Sequence, residues 1–140
     1  HCPFVIHVRE QLLKIANDYS LNGVGFVAIS SNDVVKYPQD GPTYMAEMAE
    51  EFNFPFPYLF DETQEVAKDY DAACTPDFAV FNCQDKCVYR GELDGSRPGN
   101  DIDCDGGSLR AVLDLLVNDQ PVPSENQRPS IGCNIKWKQS

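Results

Sequence analysis

Two short stretches of this sequence hold residues that could exchange thiols and disulfides. His1-Cys2-Pro3 opens the chain, and Cys74-Thr75-Pro76 lies near its middle. Unpaired N–H groups and the dipole at a helix N-terminus stabilise a thiolate. Cys2 stands in such a position, because proline and an apolar helical pattern follow it. We therefore predict a redox role for Cys2, with a buried cysteine that only fills core space as the alternative.

Composition and charge restrict the classes of partner. The 140 residues fit one domain with a single core. Eleven basic and 22 acidic residues give a net charge of -11, which repels phosphate backbones and anionic lipid. No apolar run approaches the roughly 20 residues that span a bilayer. We expect a soluble protein, intracellular or organellar, with no nucleic-acid partner and no direct membrane insertion.

Helical and strand patterns alternate along the chain. Apolar spacing predicts helices over residues 3–22, 44–52, 62–70 and 108–117, and strands over residues 24–29, 58–60, 77–81 and 87–91. This order predicts an α/β domain over residues 1–120, with an irregular tail over residues 121–140 packed on it. No strand precedes the first helix in this sequence, so we expect the sheet to lack its first strand.

Several motifs, in this order, resemble a known superfamily. They are HCPFVIHV (1–8), VAISSNDVVKYPQDGP (27–42), FPFPYLFDETQEVAKDYDAACTPDFAVF (54–81), YRGELDGSRPGN (89–100) and PSIGCNIKWK (129–138). They resemble the thioredoxin-like, peroxiredoxin-related proteins of the alkyl hydroperoxide reductase and thiol-specific antioxidant superfamily. The resemblance implies a thioredoxin-like α/β fold, in which helices flank a central mixed sheet whose first, central strand is missing from this chain. We expect no cofactor.

The resemblance also assigns roles to the first residues. The family's first motif reads C-N-H-C-P-F-V, which aligns His1 and Cys2 with its third and fourth positions. A partner cysteine and the central strand are therefore expected upstream of His1. In a C-x-x-C pair the upstream sulfur usually attacks and the downstream one resolves, so Cys2 would be the resolving thiol. His1 would place positive charge near the thiolate.

The second motif provides the other side of the expected site. In thioredoxin folds a cis proline faces the redox loop, and the residue before it pairs with the substrate backbone as an added strand. Thr75-Pro76 lies where that proline belongs, with a trans proline that only forms a turn as the alternative. Cys74 is then either a third redox thiol or a core residue. Cys133 is a further candidate resolving thiol, delivered from a mobile tail.

Other candidate residues have weaker signatures. Cys83 and Cys87 flank a turn and could form a strained disulfide or remain two thiols. The sequence DIDCDG (101–106) imitates the start of a calcium loop, but position 12 is Val112 and not glutamate, so a solvated acidic loop is the better interpretation. We predict no metal site. Arg90 and Arg97 are candidates to polarise a peroxide.

These observations favour a thioredoxin-like thiol–disulfide oxidoreductase over a peroxidase. Its partners would be a protein disulfide substrate or a thiol reductant. The rival hypothesis, from another functional class, is a non-catalytic subunit or binding module that keeps the fold as a scaffold and docks in a larger protein assembly. Fold alone does not separate the two hypotheses, because function resides in the site.

Overall fold

The structure is a computed structural model that describes residues 1–139. It is a mixed α/β domain with four α-helices, one short 3₁₀ helix and six short strands in the described residues. The helices are α1 (Pro3–Ser20), α2 (Pro42–Glu51), α3 (Glu65–Asp69) and α4 (Gly107–Val117), with the 3₁₀ helix at Pro38–Asp40. The strands are β1 (Ala28–Ser30), β2 (Tyr58–Phe60), β3 (Cys74–Thr75), β4 (Phe78–Phe81), β5 (Cys87–Gly91) and β6 (Cys133–Asn134).

The hydrophobic core lies between α1, α4 and β5. Its buried members are Val8, Ile15, Tyr19, Tyr89, Leu93, Leu109, Val112 and Leu113. On α1 the buried residues recur at the spacing of one helix face, which the apolar periodicity predicted. α4 presents Leu109, Val112 and Leu113 to the same core. The packing of α1 fixes the position of its N-terminus, and therefore of Cys2.

The strands form three two-stranded pairs. β1 and β2 are parallel, whereas β3 pairs with β6 and β4 pairs with β5 in antiparallel ladders. The hairpin expected over residues 77–91 is thus present, with a bulge between Val80 and Phe81. The single central mixed sheet is not, because no ladder joins the three pairs within residues 1–139. The expected strand upstream of the first helix stays a prediction.

Two further elements differ from the sequence-based expectation. The strand predicted over residues 24–29 is reduced to β1, since Val24 and Phe26 pack against the core without joining a ladder. The tail, predicted as irregular, contains β6 and is hydrogen-bonded to the domain. Its last residue, Ser140, lies outside the described residues. Among the described helices none is long and apolar enough to cross a membrane.

Candidate active site

Cys2 is the residue that precedes α1. Its carbonyl accepts hydrogen bonds from the N–H groups of Val5 and Ile6, and Pro3 occupies the first helical position, where no N–H is needed. Its side chain is buried, at 5% exposure. The positive end of the helix dipole at this terminus favours negative charge close to the Cys2 sulfur.

Cys2 is joined to Cys133 by a disulfide. The two Cα atoms are 6.3 Å apart, and 131 positions separate the residues in sequence. This bond connects the start of α1 to β6 in the tail. The sequence had offered Cys133 as a weaker candidate on a mobile segment; in the structure Cys133 instead lies in a paired strand.

The disulfide lies against the segment that holds the expected proline. The Thr75–Pro76 peptide bond is cis. The Cys2 Sγ is 3.5 Å from the Thr75 carbonyl oxygen. Because a disulfide sulfur has no proton to donate, this is a van der Waals contact and not a hydrogen bond. The structure therefore brings Cys2, Thr75, Pro76 and Cys133 together.

The edge of β3 is occupied by the chain itself. β6 pairs with β3 in antiparallel register, with Thr75 opposite Cys133 and Cys74 opposite Asn134. Gly132 passes so close that a Cβ at this position would lie 1.9 Å from the Thr75 carbonyl oxygen. Here the tail takes the place in which the sequence predicted a substrate backbone.

Two side-chain amides hold the tail beyond β6. The Asn32 Oδ1 accepts from the backbone N–H of Lys136 at 2.9 Å. The buried Gln64 donates from Nε2 to the Lys136 carbonyl at 2.9 Å and accepts at Oε1 from the backbone N–H of Lys138 at 2.9 Å. The Asp33 N–H adds a 2.7 Å hydrogen bond to the Lys136 carbonyl. We call Asn32 and Gln64 the amide clamp.

His1 is connected to this clamp. Its Nδ1 lies 2.6 Å from a carboxylate oxygen of Asp40, which is 8% exposed, and Asn32 Nδ2 donates to the same carboxylate at 3.0 Å. The His1 ring also stacks on Tyr37, with 5.6 Å between ring centroids. A hydrogen-bonded path thus runs from the residue before Cys2 to the residue three positions after Cys133. Asp40 holds the His1 ring in place, and a protonated His1 forms an ion pair with this carboxylate.

The remaining four cysteines are free thiols. Cys74, next to the site, is half-buried; burial, and then the negative charge of Asp77, raises the pKa of its thiol. Burial likewise raises the pKa of Cys104. Cys83 and Cys87 are exposed at the β4–β5 turn and are not joined to each other.

The two candidate arginines are engaged with carboxylates. Arg90 pairs with Asp77 at 3.3 Å, and Arg97 pairs with the buried Glu92 at 3.1 Å. Arg97 borders a cavity of about 20 Å³ beside Pro76, and its Nε has no hydrogen-bond partner. In residues 1–139 no group of three or more histidine, cysteine or acidic side chains is arranged to hold a metal.

Asn32, Gln64, Asp40 and Gly132 were missed as site residues by sequence reasoning. The signal for two of them was present, because Asn32 follows β1 and Gln64 follows β2, and the carboxyl ends of parallel strands are where α/β proteins bind their ligands. No such signal marked Gly132, because glycine is required there only by the close approach of the tail to Thr75.

Comparisons with known proteins identify one family and two similar solved structures. The Redoxin family model matches residues 1–104. The crystal structure of an uncharacterized conserved protein from Geobacillus kaustophilus is similar at 62% identity and a TM-score of 0.97, covering 100% of this chain and 74% of that chain. A hypothetical protein from Sinorhizobium meliloti 1021 is similar at 44% identity and a TM-score of 0.97, covering 100% of this chain and 76% of that chain. The search of curated proteins produced no significant match.

Proposed function

Because the chain belongs to the Redoxin family, whose members have a thioredoxin-like redox function, we propose that it is a thiol–disulfide oxidoreductase with Cys2 and Cys133 as a reversible redox pair. The observation that carries the proposal is the contact of this disulfide with Thr75, directly before the cis Pro76. A disulfide that only stabilised the fold would not need that position.

The order in which a reductant attacks the two cysteines follows from their difference in exposure. Cys133 is more exposed than Cys2, so an incoming thiolate reaches the Cys133 sulfur first. The new S–S bond forms at Cys133, and Cys2 leaves as a thiolate at the N-terminus of α1, where the positive end of the helix dipole stabilises it. A second reductant thiolate then attacks the reductant's own sulfur in the mixed disulfide, and Cys133 leaves as a thiolate. Two electrons have passed to the protein dithiol, and the reductant has become a disulfide.

The family motif adds a third thiol to this scheme. We place the attacking cysteine three residues before Cys2, after the central strand that is expected upstream of it. That thiolate attacks a substrate disulfide and releases one thiolate, and Cys2 resolves the mixed disulfide and releases the other. Cys133 then attacks the Cys2 sulfur, which forms the Cys2–Cys133 bond and frees the upstream thiolate. Each exchange forms one S–S bond and breaks one.

The test is an exchange assay on the full-length protein with a small disulfide, 2-hydroxyethyl disulfide, and thiol reductant. We expect Cys2→Ser to abolish turnover and Cys133→Ser to reduce it strongly. Cys83→Ser is the matched control, because Cys83 is a free, exposed thiol in the β4–β5 turn, and it should leave turnover unchanged. Full activity in Cys2→Ser would overturn the proposal.

The alternative, a thioredoxin-fold scaffold docked in a larger assembly, makes the opposite prediction. A scaffold would show no exchange with either a small or a protein disulfide, and it would copurify with partner proteins in fixed stoichiometry regardless of Cys2→Ser. The same set of variants therefore separates the two candidate functions.

A further inference from the structure

We infer that the tail from Gly132 to Lys138 is a permanent internal strand at the β3 edge. Asn32 and Gln64 are positioning residues that keep Cys133 beside Cys2 in both redox states, and the docked tail restricts the redox site to small-molecule thiols and disulfides. The inference deepens the proposed function by naming its substrate class, and in that part it rests on the proposed function.

The tail is bound by contacts that do not involve sulfur. The β3–β6 ladder, the amide clamp and the Asp33 N–H are hydrogen bonds without a sulfur atom, so reduction of the disulfide does not itself break them. Ile135, between the ladder and the clamp, is 4% exposed and adds buried apolar area. Upstream, the Ser130 hydroxyl donates to Asp77 at 2.9 Å. Reduction therefore removes one covalent bond from a segment that these hydrogen bonds and the burial of Ile135 also hold.

The backbone of Gln64 has an unusual conformation at the point where its side chain binds the tail. Seven non-glycine residues among those described have positive φ, and six of them are Asn or Asp, which tolerate the left-handed region. Gln64, at φ 65°, is the exception. It is also 3% exposed, and its amide binds two chain segments, Ser31 on one side and the tail on the other. Gln64 therefore adopts a left-handed backbone conformation, which glutamine rarely adopts, at the position from which its side-chain amide binds the tail backbone.

The docked tail limits access to the backbone of Thr75. An extended polypeptide substrate would have to pair with the backbone of β3, and that edge already carries β6. Gly132 lies in direct contact with the Thr75 carbonyl, so no second strand fits between them. A small disulfide needs no backbone pairing and requires only a path to a sulfur. Docking of the tail thus excludes extended protein substrates, whereas small disulfides still reach the sulfur atoms.

The reaction with a small disulfide RSSR balances on the dithiol alone. One protein thiolate attacks RSSR and releases RS⁻, and the other attacks the resulting mixed disulfide and releases the second RS⁻. The products are the Cys2–Cys133 disulfide and two RSH, which take the two thiol protons. Because the tail is docked, the second step is intramolecular with a high effective concentration of the partner thiol.

Hydrogen exchange tests the docking without any activity assay. In the reduced wild-type protein we expect the amides of Lys136 and Lys138 to stay protected, as in the oxidised protein. Asn32→Ala combined with Gln64→Ala should remove that protection in the reduced state, whereas Gln39→Ala, which truncates an exposed amide side chain, should not. Loss of protection at Lys136 and Lys138 on reduction of the wild type would overturn the inference.

A substrate comparison tests the access argument. Insulin and 2-hydroxyethyl disulfide are assayed in parallel, and the ratio of the two rates is the readout. Gly132→Ala should raise the insulin-to-small-disulfide ratio by about tenfold, because the added Cβ displaces β6 from Thr75. The matched control is Gly25→Ala, where an added Cβ meets nothing within 4 Å. The clamp double variant should raise the ratio as well, which keeps the test valid if Gly132→Ala fails to fold.

The outcomes separate the two proposals. An unchanged ratio in both variants, or wild-type insulin reduction as fast as small-disulfide reduction, overturns the internal-strand inference while the oxidoreductase proposal stands. Absence of turnover with either substrate overturns the proposed function, and the hydrogen-exchange result then decides the docking by itself.

Discussion

The Sγ of Cys2 lies 3.5 Å from the carbonyl oxygen of Thr75, the residue that precedes a cis proline. This contact joins two segments that are 73 positions apart in sequence, and Cys133 adds a third. The helix terminus, the cis-proline segment and the tail strand each contribute one element of the site. Neither the helix nor the strand pair alone would assemble it.

Alkylation should divide the cysteines into three classes. In the oxidised native protein we expect Cys83 and Cys87 to react fast because they are exposed, and Cys74 and Cys104 to react slowly because burial raises their pKa values and lowers the thiolate fraction. Cys2 and Cys133 should not react at all. Peptide mass spectrometry after timed iodoacetamide treatment measures each rate, and rapid labelling of Cys2 would contradict the disulfide.

Reduction of Cys2–Cys133 should lower the free energy of unfolding by about 2–4 kcal/mol, because a cross-link across most of the chain restricts the unfolded ensemble. Urea unfolding of the oxidised and reduced protein measures the difference. Cys133→Ser under oxidising conditions should match the reduced wild type, and Cys83→Ser should match the oxidised one. Equal stability of the two redox forms would be incompatible with this expectation.

The Asp94 carboxylate should make stability depend on pH. Burial raises its pKa, but hydrogen bonds from the Ser96 side chain and from the backbone N–H of Gly106 outweigh burial and leave the pKa below its usual value. A lowered folded-state pKa contributes stability that is present above the unfolded pKa of about 3.9 and is lost as pH falls through the folded value.

Asp94→Asn should therefore destabilise the protein by about 2 kcal/mol at pH 7, because the new amide nitrogen faces a hydrogen-bond donor where a carboxylate oxygen accepted, and by less at pH 3. Urea unfolding at both pH values checks this. Asp103→Asn, at an exposed position of the loop that precedes α4, should have little effect at either pH. A loss that is the same at both pH values would show that Asp94 does not act through its charge.

The start of α3 should depend on Asp61. This buried carboxylate accepts from the Ser31 hydroxyl at 2.8 Å and from the Ala67 N–H at 2.9 Å. Asp61→Ala leaves both donors without a partner, and we expect a loss of about 2 kcal/mol in unfolding free energy. Glu62→Ala, which truncates the exposed neighbour, should cost far less. Thermal denaturation of the two variants compares them, and equal midpoints would refute the role of Asp61.

Much of the local structure could be predicted from the sequence. The apolar period after Pro3 predicted α1, and the apolar runs around a tight turn predicted the β4–β5 hairpin, because such patterns depend on near neighbours in the chain. The position of Thr75-Pro76 beside Cys2 followed from the family motifs. Their functional roles remain predictions.

The tail could not be predicted in the same way. Its two-residue strand β6 has too few residues for a periodic signal, and its stability depends on Thr75, Asn32 and Gln64, which are distant in sequence. The same limit applies to Gly132, where the Thr75 carbonyl leaves no room for a Cβ. Interactions at long sequence separation determine this half of the site.

The most direct test of the redox proposal is a disulfide titration of the full-length protein. The protein is equilibrated in buffers of defined glutathione to glutathione disulfide ratio, quenched with acid and mapped by peptide mass spectrometry. The account predicts a Cys2–Cys133 disulfide whose fraction changes reversibly with that ratio, as a two-electron couple. A Cys2–Cys133 bond that stays fully oxidised across all ratios, or one that never forms, would contradict it.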